Sequence, residues 1–149
     1  MTPVRIGRGV ATRVFGISAA CCGLSMVLIL QDGTFEITVP GIGLVVIATF
    51  AGGLCGRILL PRLRNPTMPK AMFAGAVIAL LAHIPFSILF AALEFMTDGV
   101  RTGPGDFAAM VVLLLLLGWV IGGVLQAVFG AVAGAVSLHL SRSQQDERG

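Results

Sequence analysis

Charge is what this chain has least of. Asp, Glu, Lys and Arg make up 11% of its 149 residues, while 56% are hydrophobic. A water-soluble domain carries about a quarter charged residues because its surface must face water, and ten basic plus seven acidic side chains cannot coat a particle of this size. The composition excludes an ordinary soluble domain and points to an integral membrane protein whose surface faces lipid.

The residue types that do chemistry are equally sparse. Cys21, Cys22 and Cys55 form no Cys-x-x-Cys pair, and adjacent cysteines rarely bridge each other, so all three read as small apolar residues rather than as a redox centre. His83 and His139 are the only histidines. They fall at different depths along their segments, which argues against a haem held between two histidines and against a two-histidine metal site. Ser18, Ser25, Ser87 and Ser137 stand in no nucleophile-elbow context. No carboxylate lies in the middle of an apolar stretch; Glu94, at the outer end of the third, comes nearest. With no catalytic set, metal site or cofactor motif legible, the expectation is a non-enzymatic protein.

What the sequence does have is long uncharged runs. Between Arg13 and Asp32 lie 18 residues, between Glu36 and Arg57 lie 20, between Lys70 and Glu94 lie 23, and between Asp106 and Arg142 lie 35. A transmembrane helix needs about 20 predominantly apolar residues to cross a hydrocarbon core of about 30 Å. The spacing therefore predicts a four-helix antiparallel membrane bundle in a single domain, with spans near residues 14–30, 40–60, 70–96 and 107–140, outer loops at 31–39 and 97–106, and a cytoplasmic loop at 61–69. Gln31-Asp32-Gly33 reads as a turn, and residues 34–39 as a short extended piece.

Basic residues orient the bundle. Arg5, Arg8 and Arg13 precede the first run; Arg57, Arg62, Arg64 and Lys70 border the second and third; Arg142 and Arg148 follow the fourth, so only Arg101 falls on the opposite side. Lys and Arg stay on the cytoplasmic side during insertion, which predicts both termini cytoplasmic, in a plasma membrane of the bacterial inner-membrane type. Insertion also accounts for the pI of 9.2: anionic lipid headgroups are the expected partner of the inner basic residues, and nucleic acid is not. Arg5, Arg8 and Arg13 followed by an apolar run resemble a cleavable leader, with Ser18-Ala19-Ala20-Cys21 near a processing site, but Val14 to Ile17 would be too short an apolar core. A retained first helix, apolar to Leu30, is the expectation.

Proline and glycine punctuate the spans. Pro85 lacks an N–H, frees the carbonyl of Leu81 and should kink the third helix, with His83 and Ser87 near enough to satisfy the disturbed turn. Pro40 suits the first turn of the second helix, and Asp106 is the expected N-cap of the fourth. Thirty-five residues would extend about 52 Å, so the fourth run reads as one long or kinked helix projecting from the membrane, the alternative being a break at Gly122-Gly123. On it, Gly118, Gly122, Gln126, Gly130 and Gly134 recur every four residues, as do Gly52 and Gly56 on the second helix. Small residues at that spacing let helices approach closely.

Two functional readings follow. The first is an accessory or self-associating subunit, packed against a second copy or another membrane protein through these small-residue faces. The other is a small channel or transporter, alone or as a homodimer, with a polar path near His83 and Gln126 at the Pro85 kink. His83 lies 13 positions after Lys70, about 20 Å along the helix, and a polar side chain at that depth needs a partner.

Overall fold

A computed structural model of the chain describes residues 5–30, 39–63, 65–97 and 103–146. Within them the protein is helical, with α1 at Arg8–Leu30, α2 at Val39–Leu59, α3 at Met68–Thr97 and α4 at Pro104–Asp146; a 3-10 turn, Leu60–Arg62, follows α2. No strand occurs among the described residues. The turn at Gln31 to Gly33 and most of the extended piece expected at 34–39 lie outside them, while Val39 already belongs to α2. Three helical segments are long and apolar enough to cross a membrane: Ile42–Arg62, Met68–Met96 and Pro104–Gln145. The expected first span belongs to α1, which begins at Arg8, ahead of the apolar run.

Each helix packs against its neighbours in sequence, and α1 closes the ring against α4. The contacts are made where side chains are missing. A methyl group at Gly52 would overlap Ala19, and one at Gly56 would press on the Phe15 ring, so α1 and α2 approach through these positions. Thr49 and Gly53 of α2 face Gly16 of α1 in the same seam. Between α3 and α4 the backbones themselves touch: a methyl at Gly130 would strike the Gly75 carbonyl, and one at Gly134 the Ala71 carbonyl. Removal of Cβ atoms substitutes for a hydrophobic driving force that lipid does not provide.

The fourth apolar stretch forms one uninterrupted helix of 43 residues through Gly122-Gly123, about 64 Å long. Its start differs from expectation. Gly103, not Asp106, is the N-cap: its carbonyl accepts the Asp106 and Phe107 N–H groups, and its own N–H donates to Asp106 Oδ2 at 2.9 Å. Asp106 thus closes a reciprocal capping arrangement from the third helical position, with Pro104 in the first. At the opposite end, Gly134 faces Ala71, so residues beyond about Leu138 overshoot the start of α3. They are not left bare. Leu138 is buried in an apolar cluster with Ile6, Phe15, Leu60, Ala71 and Ile78, and Arg142 donates to the Pro66 carbonyl at 3.5 Å. Asn65, at φ 45°, makes the left-handed step that turns the chain from the 3-10 segment into Pro66, a conformation asparagine tolerates better than most residues.

Candidate functional site

His83 stands at 8% exposure on the inward face of α3. Its partner carbonyl is not that of Leu81, freed by Pro85, but that of Leu114 on α4, 3.2 Å from Nε2. A carbonyl only accepts, so Nε2 carries the proton, and in a neutral imidazole Nδ1 is then an acceptor. The amide of Gln126 meets it: Gln126 Nε2 lies 3.2 Å from His83 Nδ1 and donates to it. The two residues singled out for a polar path therefore form one hydrogen-bonded unit bridging α3 and α4. Gly118 makes this possible, since a Cβ there would occupy the imidazole's position.

The unit borders a cavity of about 320 Å³ at the centre of the bundle. All four helices line it, among them Ser18 and Cys22 of α1, Ala48 of α2, Phe86 of α3, and Gly118 and Gln126 of α4. Along α3 the lining runs from Ala79 to Phe90, about 16 Å. Toward the α2–α3 connection the cavity gives way to the buried apolar cluster that includes Phe15, Ile78 and Leu60. At the other edge Leu117 and Ile121 of α4 line the cavity and are themselves exposed, so this wall borders the lipid.

The walls are apolar and aromatic. His83, Phe86 and Phe90 form a ladder of rings: His83 and Phe86 stack with centroids 5.4 Å apart, Phe86 and Phe90 at 5.9 Å. Four hydroxyls in the helices, those of Thr12, Ser25, Thr49 and Ser143, bond back to the carbonyl four residues earlier. Ser18 instead reaches across to donate to the Phe129 carbonyl at 3.0 Å, tying α1 to α4 at the cavity. Gln126 Oε1 is buried and has no partner among the described residues, as is true of Ser87 Oγ beyond Pro85. α3 runs as one helix through Pro85.

Of the residues expected to form packing faces, Gly52, Gly56, Gly130 and Gly134 all meet other helices of the same chain, Gly118 meets His83, and Gly122 is buried. Sequence reasoning missed Gly75, the counterpart of Gly130, and the Leu114 carbonyl, which has no signature in the side chains. The ring ladder was within reach, because positions 83, 86 and 90 share one helical face. Among the described residues no three His, Cys, Asp or Glu side chains gather as a metal-holding group. Comparison with protein-family models, with curated proteins and with solved structures finds no match.

Proposed function

We propose that the chain is a non-enzymatic, four-span membrane protein, with both termini cytoplasmic, that takes a small molecule from the bilayer into the chamber beside His83 and Gln126. It belongs to the carrier or small-transporter class. The observation that carries this reading is the chamber itself, apolar over most of its wall with a few convergent polar groups from facing helices, which is the usual make-up of a ligand site. Its volume of about 320 Å³ falls in the range of small-molecule pockets, about 300–1,000 Å³. The inner basic residues, Arg57, Arg62 and Lys70 among them, would hold the protein against anionic headgroups.

The reading as an accessory or self-associating subunit rests on the scarcity of polar groups within the spans and on soluble segments too short to form a domain that binds substrate, with the glycine rows as its contact faces. Gly52, Gly56, Gly130 and Gly134 are engaged within the chain, so association with a second copy or another membrane protein would have to use other exposed apolar faces, such as that of α4, where Val120, Val124 and Val128 stand out, or that of α2, with Val46 and Phe50. Those faces are equally suited to lipid. Native mass spectrometry of the tagged protein, extracted from its own membrane in mild detergent, separates the two readings. The chain, alone or as a homo-oligomer, carrying a bound small molecule supports the chamber reading. A stoichiometric foreign polypeptide and no small molecule would overturn it.

A further inference from the structure

Resting on the chamber reading, the geometry points to the class of molecule the chamber takes: a planar, uncharged, lipid-soluble ring compound bearing a hydrogen-bond donor, such as a phenol-type hydroxyl. Four observations carry this. An apolar protein cavity of about 150 Å³ stays dry and accepts benzene; the chamber, at about 320 Å³, has room for roughly twice that bulk. No Asp, Glu, Lys or Arg is among its described lining residues, so among them a charged occupant would meet no counter-charge in a medium where an unpaired charge is expensive. The ring ladder of His83, Phe86 and Phe90 presents a wall suited to a flat aromatic partner, which prefers offset or edge contacts with such rings.

The fourth observation sets the polarity of the occupant. Both nitrogens of His83 are engaged, by Leu114 and by Gln126, and Ser18 spends its proton on the Phe129 carbonyl. Gln126 Oε1, an acceptor, is the buried polar atom of this lining that has no partner among the described residues. An occupant that brings an O–H or N–H satisfies it through a small turn of the amide, whose terminal torsion is broad. A ring carrying only carbonyl or ether oxygens cannot. The chamber therefore favours a hydroxyl-bearing ring over the same ring capped by methyl.

The test uses the full chain in lipid nanodiscs and three probes: 1-naphthol, 1-methoxynaphthalene and naphthalene, each measured against protein-free nanodiscs. All three are expected to bind saturably above the lipid background, with 1-naphthol about tenfold tighter than 1-methoxynaphthalene, the size of one buried hydrogen bond made rather than left unmade. Gln126→Met, which keeps the length of the side chain, is expected to shrink that preference to about twofold or less. Equal affinities for the two probes on the unaltered protein would overturn the donor assignment and leave the chamber reading standing, and that comparison needs no variant. Absence of saturable binding by any probe would overturn both. A tenfold preference that survives in folded Gln126→Met would remove Gln126 from the assignment.

Discussion

Gly118 lies directly against the imidazole of His83, so close that a single added methyl group would take the place of Nε2. The glycine on α4 and the histidine on α3 thus form a matched pair: one gives up its side chain so that the other can reach the Leu114 carbonyl, 3.2 Å away. The close approach explains why a glycine interrupts the leucine run before it, where helix propensity alone would favour another leucine.

Gly118→Ala should therefore expel the ring. The imidazole is the far end of a rotatable side chain, so the helices need not separate, but both hydrogen bonds of His83 would be lost. A destabilisation of about 1–3 kcal/mol is expected, typical of overpacking, read as a lower denaturant midpoint in mixed micelles. The double variant Gly118→Ala with His83→Ala should recover part of it, because the clash is gone. An unchanged midpoint for Gly118→Ala would contradict the contact.

At Gly130 the obstacle is backbone. An added Cβ would run into the Gly75 carbonyl, which cannot swing aside, so α3 and α4 must move apart along their glycine seam. Gly130→Ala should cost at least as much as Gly118→Ala. Gly123→Ala is the internal control, since a Cβ there meets nothing within 4 Å; it should be neutral or gain up to about 1 kcal/mol from helix propensity. Equal effects of the two changes, measured by the same unfolding titration, would place the seam elsewhere. The contrast also bears on self-association, because loss of assembly in a Gly130 variant would first report loss of the fold.

His83 and Gln126 are predicted to be energetically coupled. Removing the amide leaves His83 Nδ1 without its donor, and removing the imidazole leaves the amide without its acceptor. A double-mutant cycle of His83→Phe and Gln126→Met should return a coupling of about 0.6–2 kcal/mol, the range for interhelical hydrogen bonds in membranes. A coupling near zero would mean that the 3.2 Å contact contributes no stability, and the polar unit would then reduce to two independent side chains.

The parts of this architecture that were legible in the sequence are those set by one segment at a time. Charge-free gaps placed α2, α3 and α4 closely, because burial of a charge in lipid is costly wherever it occurs. The i, i+4 glycines of α2 and α4 showed that these helices would approach something. What they approach is a property of pairs. Gly75 is the one glycine of α3, flanked at spacing four by Ala71 and Ala79, so this row of small residues was open to reading; that it faces Gly130 and Gly134 was not. Gln126 and His83 are 43 residues apart, and the Leu114 carbonyl is a backbone group common to every residue, so no pattern announced either contact. Pro85 drew attention to its own helix, while the partners of His83 lay on the next. The cap of α4 was missed by three residues because Asp106 is a good capping residue from more than one position, and the reciprocal bond with Gly103 is visible only in three dimensions.

The number of crossings decides where the termini lie, and α1 decides the number. With α2, α3 and α4 alone in the membrane, an odd count would put the two ends of the chain on opposite sides; adding α1 brings them to the same side. The basic residues favour the second arrangement: Arg5, Arg8 and Arg13 lie before or in the first turns of α1, and Arg57, Arg62 and Lys70 gather around the α2–α3 connection. Packing favours it as well, since α1 lies along α2 through Gly52 and Gly56 and bonds to α4 through Ser18, which an α1 left outside the membrane could not do. Fusions that fluoresce only in the cytoplasm or are active only outside it, placed after residue 3, after residue 33 and at the carboxyl end, read the answer. Cytoplasmic signal at both ends and outside activity at 33 is the expected pattern. Cytoplasmic signal at position 33 together with opposite ends would mean that α1 does not cross, and the chamber would then lose the wall that carries Ser18 and Cys22.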